Sequence, residues 1–229
     1  MSAVRLTIGG TSLNHPDRTS LLDLTLRELL ERLGSSDPTP GGGAAAAAVG
    51  ALGAALVQMT ANLTIGRPRF AEIDERARGI EGRAADLRDK LAALSDADAD
   101  AFERVSAAYK LPRADDAQKV ARSQAIQAAL RLAADVPVQT ATLSAQVLEL
   151  AEQAAPILNP AVISDVLVGA LLAQSALESA GVNVEINVAA MTDAHVAQQY
   201  ADAFARAREG ARERVERILA TGSSRFPGR

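Results

Sequence analysis

A chain of 229 residues can bury one large core without needing two domains, and its net charge of −4 gives no general reason to bind nucleic acid. Apolar residues make up 48% of it and aromatics only 3%, so alanine and leucine carry the core, which favours packed helices over a sheet. Cysteine is absent and histidine is limited to His15 and His195, which excludes disulfides and thiolate nucleophiles and argues against a zinc site. The first twenty residues, with Asn14-His15-Pro16-Asp17, read as an irregular arm with a short extended piece at 4–8. They lack the basic segment and apolar core of a secretion signal. Helical periodicity begins at Leu22 and runs through Leu26, Leu29, Leu30 and Leu33 to a stop at Gly34.

A central helix is expected from about Pro40 to Ile65, with Thr39 as its cap and Pro40 in its first turn. Its side chains are nearly all small. Gly50 and Gly53 lower its intrinsic stability, so close backbone packing must compensate. Gly41, Gly42 and Gly43 leave backbone N–H groups at its mouth open to an acceptor. A tightly packed central helix explains the segment, and so does a ligand surface at its glycine end. The apolar run at 41–57 is short for a membrane span and is followed by Gln58, Thr60 and Asn62, so a cytoplasmic protein without a membrane partner is expected.

The next helix starts at Pro68 and continues to Leu111-Pro112, and another covers 115–135, with Pro137 kinking it or restarting it toward Ala155. Asn159-Pro160 opens a strongly apolar helix that Gly181 should end. Residues 182–188 alternate like a strand, although their context favours one last helix carrying Tyr200, Phe204, Ala211, Val215 and Ile218. The implied organisation is an arm at 1–21, one all-α domain of long packed helices at 22–220 and a tail at 221–229. An alanine-rich face left over by such helices suits a second copy, making a homodimer the simplest assembly.

Polar groups set in apolar helices are the candidates for chemistry. Asn62 ends the small-residue helix, just before Arg67 and Arg69, whose guanidinium groups suit a carboxylate tail. Asp165 lies in an apolar helix, either satisfied structurally or presented as a functional carboxylate. Asp96, Asp98 and Asp100 cluster on one helix, where burying all three unpaired would be costly, so at most one is expected to enter a site. Lys110 and Arg113 suit a helix C-terminus, and Asn183 and Asn187 sit one turn apart. His195 reads as structural or surface-facing.

Pro38-Thr39-Pro40-Gly41-Gly42-Gly43, Gly50-Ala51-Leu52-Gly53-Ala54-Ala55 and Ala61-Asn62-Leu63-Thr64-Ile65-Gly66 together resemble the cyclodeaminase/cyclohydrolase family. The likeness extends over Asp98-Ala99-Asp100-Ala101-Phe102, Lys110-Leu111-Pro112, Ser164-Asp165 and Asn183-Val184-Glu185-Ile186-Asn187. It implies an all-α, dimeric, metal-independent enzyme acting on a tetrahydrofolate derivative, with no tightly bound cofactor. Hydrolysis of 5,10-methenyltetrahydrofolate is the reaction expected first; release of ammonia from 5-formiminotetrahydrofolate and a non-catalytic folate-binding or structural dimer are the alternatives. The resemblance implies Asp165 and then Asp98 as the acid–base carboxylate, with Asn62 and Lys110 assisting. Gly41, Gly42, Gly43, Arg67, Arg69 and Asn183 are the expected substrate contacts. Ala44 stands where family members often carry serine, and the arginines stand where they often carry lysines.

Overall fold

The computed structural model describes residues 20–226, so His15 and the extended piece at 4–8 lie outside the described residues. Every regular element among those residues is helical. A 3₁₀ turn at Leu21–Asp23 leads into α1 (Leu26–Leu33), which starts with a capping box between Thr25 and Glu28. Then follow α2 (Gly42–Asn62), a 3₁₀ stretch at Pro68–Ile73, α3 (Asp74–Tyr109) and α4 (Asp116–Ala154). A third 3₁₀ element, Pro160–Val162, introduces α5 (Ile163–Ala189), and α6 (Ala194–Arg208) and α7 (Ala211–Ser223) complete the described elements.

Helices α2 to α5 form an up-and-down bundle in which α2 touches the other three. Gly50, near the middle of α2, faces Leu91 of α3, Ser144 of α4 and Ala176 of α5. Its backbone can lie that close because the residues around it are small. Farther along, a β-carbon on Gly53 would come within 2.7 Å of the Gly169 carbonyl, and one on Gly169 within 2.8 Å of the Gly53 carbonyl. The two antiparallel backbones meet directly there, as the glycine content of the sequence requires. α6 and α7 pack back along α4 and α5.

Four local expectations are corrected. Gly41, not Thr39, caps α2, and the helix proper begins at Gly42 with no side-chain cap of its own. α4 runs unbroken through Pro137. Pro137 has no N–H to offer the Ala133 carbonyl, and Asn187 Nδ2 supplies the missing donor at 3.1 Å. Gly181 does not end α5, because its bare backbone receives the Phe204 ring where a β-carbon would stand. Residues 182–188 are helical, as their context favoured, but as part of α5 rather than of the last helix. The last predicted helix is two, divided at Gly210, whose φ of 66° lies in the left-handed region that glycine tolerates.

α2 and α5 are each long and apolar enough to cross a membrane by length and composition, yet more than half of the apolar stretch of α2 is buried against its neighbours.

Candidate active site

The start of α2 brings a carboxylate and a glycine mouth together. Asp98 projects from α3 at the level of Gly43, and a β-carbon at Gly43 would overlap its carboxylate. Asp98 Oδ2 accepts the Ala44 backbone N–H at 2.9 Å, so a side chain of α3 does for α2 what a cap of its own would do. Ser95, one turn earlier, donates its hydroxyl to the Ala44 carbonyl at 3.0 Å and fixes the two helices in register. Burial raises the Asp98 pKa above the ordinary carboxylate value, against the smaller downward pull of the Ala44 N–H. No cation contributes to that balance. A half-buried carboxyl group whose pKa burial raises, set at a helix mouth, can both give and take a proton.

Asp96 serves the fold instead. Its carboxylate accepts the Ser20 hydroxyl at 2.5 Å and the Leu21 N–H at 2.7 Å, tying the first turn of the described chain to α3.

Several other candidates stand at the far end of the bundle. Asn62 is the last residue of α2 and is exposed, nineteen residues from Gly43, or about 28 Å of helix rise. Arg67 is exposed beside it. Arg69 donates to Asn159 Oδ1 at 2.8 Å and lies 4.5 Å over the Phe70 ring. Asp165, half-exposed in the first turn of α5, has no hydrogen-bond or ion-pair partner among the described residues. Lys110 caps the end of α3, exposed and about 18 Å of rise beyond Asp98. Asn183 lies on the stretch of α5 level with the glycine mouth, where its Nδ2 donates to the Ser179 carbonyl. His195 is exposed, with its ring 3.1 Å from Gln199 Nε2 and its backbone N–H on Asp193. One copy of the chain thus unites Gly41, Gly42, Gly43 and Asp98 and leaves Asn62, Arg67, Arg69 and Asp165 apart.

Ser95 and Asn159 were not singled out as functional from sequence. Asn159 is buried and donates to the Leu63 carbonyl while its backbone N–H reaches Thr64, so it joins the end of α2 to the start of α5. A serine three residues before an aspartate carries no signal of its own. The Asn-Pro pair before an apolar helix did mark the turn. Among the described residues no group of three or more His, Cys, Asp or Glu side chains is placed to hold a metal ion.

The chain is thus an all-helical bundle with a half-buried carboxyl group lodged in a glycine helix mouth. The family described as formiminotransferase-cyclodeaminase matches residues 25–206. The methenyltetrahydrofolate cyclohydrolase of Methylorubrum extorquens is 41% identical over 175 residues, covering 76% of this chain and 84% of that protein. The formimidoyltransferase-cyclodeaminase of Rattus norvegicus is 37% identical over 174 residues, and the chain spans only 32% of its length. The crystal structure of formiminotetrahydrofolate cyclodeaminase from Thermotoga maritima superposes with a TM-score of 0.79 at 27% identity, over 89% of this chain and 98% of that one. The chain belongs to this cyclodeaminase and methenyltetrahydrofolate cyclohydrolase family.

Proposed function

We propose that the protein is a formiminotetrahydrofolate cyclodeaminase, with Asp98 as its acid–base group. The carrying observation is the Asp98 carboxyl group, pushed toward its protonated form by burial at the glycine mouth. In this reaction N10 attacks the carbon of the protonated formimino group on N5, N10 gives up its proton, and the amine left on that carbon must gain one before it leaves as ammonia. A single carboxyl group can take the first proton and return the second. The methenyl bridge that results is a delocalised cation, which a carboxylate stabilises as it forms. The solved relative from Thermotoga maritima, named for this activity, supports the choice.

Hydrolysis of 5,10-methenyltetrahydrofolate is the second reading, favoured by the 41% identical relative, of which the chain covers 84%. There Asp98 takes a proton from water attacking the bridge carbon. An anaerobic assay of the purified protein with each folate, spontaneous reaction subtracted, separates the two. Faster ammonia release supports cyclodeamination, faster loss of the methenyl absorbance supports hydrolysis, and neither in a folded protein overturns the enzyme assignment.

A homodimer belongs to the same proposal. Leu52 and Met59 of α2 and Val168, Leu171, Val182 and Ile186 of α5 are exposed along a face on which α2 contributes no charged residue. Leu52 lies midway between Gly43 and Asn62. An antiparallel two-fold through Leu52 therefore sets the glycine mouth of each copy beside Asn62, Arg67 and Asp165 of the other. It also brings exposed Arg67 toward exposed Glu185. Asp165 then orients substrate, Arg67 takes its carboxylate tail with Lys110, and Asn183 lines the mouth. Arg69 retains its hold on Asn159. Such a protein works in the cytoplasm without a nucleic-acid or membrane partner and without a tightly bound cofactor.

A further inference from the structure

The chain has four phenylalanines, two tyrosines and no tryptophan, and five of these six rings have an evident structural employment. Phe70 lies under the Arg69 guanidinium and Tyr109 under that of Arg122, 5.6 Å from the ring centre. Tyr200 donates to Asp135, Phe204 fills the notch at Gly181, and Phe226 packs on the main core. Phe102 is the exception. It is 45% exposed and joins none of the hydrophobic clusters among the described residues.

Its position gives that exposure a meaning. Phe102 follows Asp98 by four residues, which places it on the same face of α3, about 6 Å farther along. α2 begins at Gly42, level with Asp98, so the next turns of α3 run past its end. Among the described residues an aromatic face therefore stands exposed immediately beyond the half-buried carboxyl group, on the way to exposed Lys110.

We infer that Phe102 is the platform on which the planar ring system of the substrate stacks while Asp98 meets its one-carbon bridge. The inference rests on the folate chemistry proposed above. The ligand it calls for is a flat conjugated ring joined to a delocalised cation, because an aromatic face attracts positive charge as well as offering stacking area. A neutral folate of the same shape gains the stacking and not the charge attraction.

Steady-state kinetics of the full chain test this with Phe102→Ala, Phe102→Leu and Phe102→Tyr, using whichever folate the wild type turns over. Loss of the ring in the Ala and Leu variants should raise KM about 5- to 20-fold with kcat little changed, and the Tyr variant should stay near wild type. Neutral 5-formyltetrahydrofolate, used as a competitive inhibitor, should lose less affinity in the Ala variant than the cationic methenyl compound does. An unchanged KM in Phe102→Ala or Phe102→Leu protein with wild-type melting temperature and mass overturns the platform, as does an equal rise in Phe102→Tyr. Should the Ala variant fail to fold, the Leu and Tyr variants decide. A wild-type protein that neither binds nor turns over folates overturns the functional assignment itself, an outcome distinct from an active enzyme indifferent to residue 102.

Discussion

Helix geometry favours a negative charge at the start of α2 and burial disfavours it, and Asp98 experiences both. Burial prevails, so the folded chain binds the Asp98 proton more tightly than the unfolded chain does. The stability this confers is complete below the ordinary carboxylate pKa, near 3.9, and is lost as pH rises through the raised folded value. Asp98→Asn should remove that dependence. Its amide oxygen can still accept the Ala44 N–H, so thermal melts across pH should be flatter than for the wild type and no lower near neutrality. Turnover should fall by about 100-fold or more. A folded variant with full activity would show that the acid–base group lies elsewhere, and Asp165→Asn would then be the variant to measure. Nothing in the local sequence pattern ranks these two aspartates. Asp98 sits among alanines and Asp165 among branched apolar residues, and only the packing of α3 on α2 brings Asp98 to the glycines.

The helices themselves were legible wherever apolar spacing ran long, as through α3 from Ile80 to Leu94. Their ends were misjudged where a distant side chain alters a local preference. Pro137 and Gly181 both look like breaks, but Asn187 reaches the carbonyl orphaned by the first and Phe204 fills the space beside the second. Close packing at Gly50 and Gly53 was legible for the opposite reason, since glycine inside a helix is unfavourable and must be offset by a neighbour. Gly53→Ala should push α5 away at Gly169 and destabilise the chain by about 1–3 kcal/mol, overpacking outweighing the gain in helix propensity. Urea unfolding measures this. A variant as stable as the wild type would mean that the two backbones can separate without loss.

Across the whole molecule, the exposed apolar face of α2 and α5 is the feature that the bundle alone leaves unexplained. A charge placed at its centre, Leu52→Glu, should halve the mass seen by light scattering and reduce turnover by at least tenfold, about 1.4 kcal/mol in the barrier, while far-ultraviolet dichroism stays helical. A wild-type protein that is already monomeric and fully active would reject the two-fold and the shared site together. Sequence favoured a second copy from its alanine content. It also put the glycines and Asn62 at opposite ends of one helix, whereas the arrival of Asp98 at the glycine end emerged only from the fold.

α3 has 36 residues to the 21 of α2, and that inequality gives the proposed site its floor. The overhang is regular helix, so the side chains facing a ligand recur every three or four residues at fixed heights. Asp98 and Phe102 occupy successive rungs, beyond which Val105 packs against α4 and Tyr109 lies under Arg122. A ligand with a longer tail or a different ring can be accommodated by exchanging rungs, with no loop to rebuild and no change in the bundle. Substrate range in this architecture is therefore free to drift by point substitution along one ledge, while the carboxylate at its inner end stays where the packing of α2 holds it.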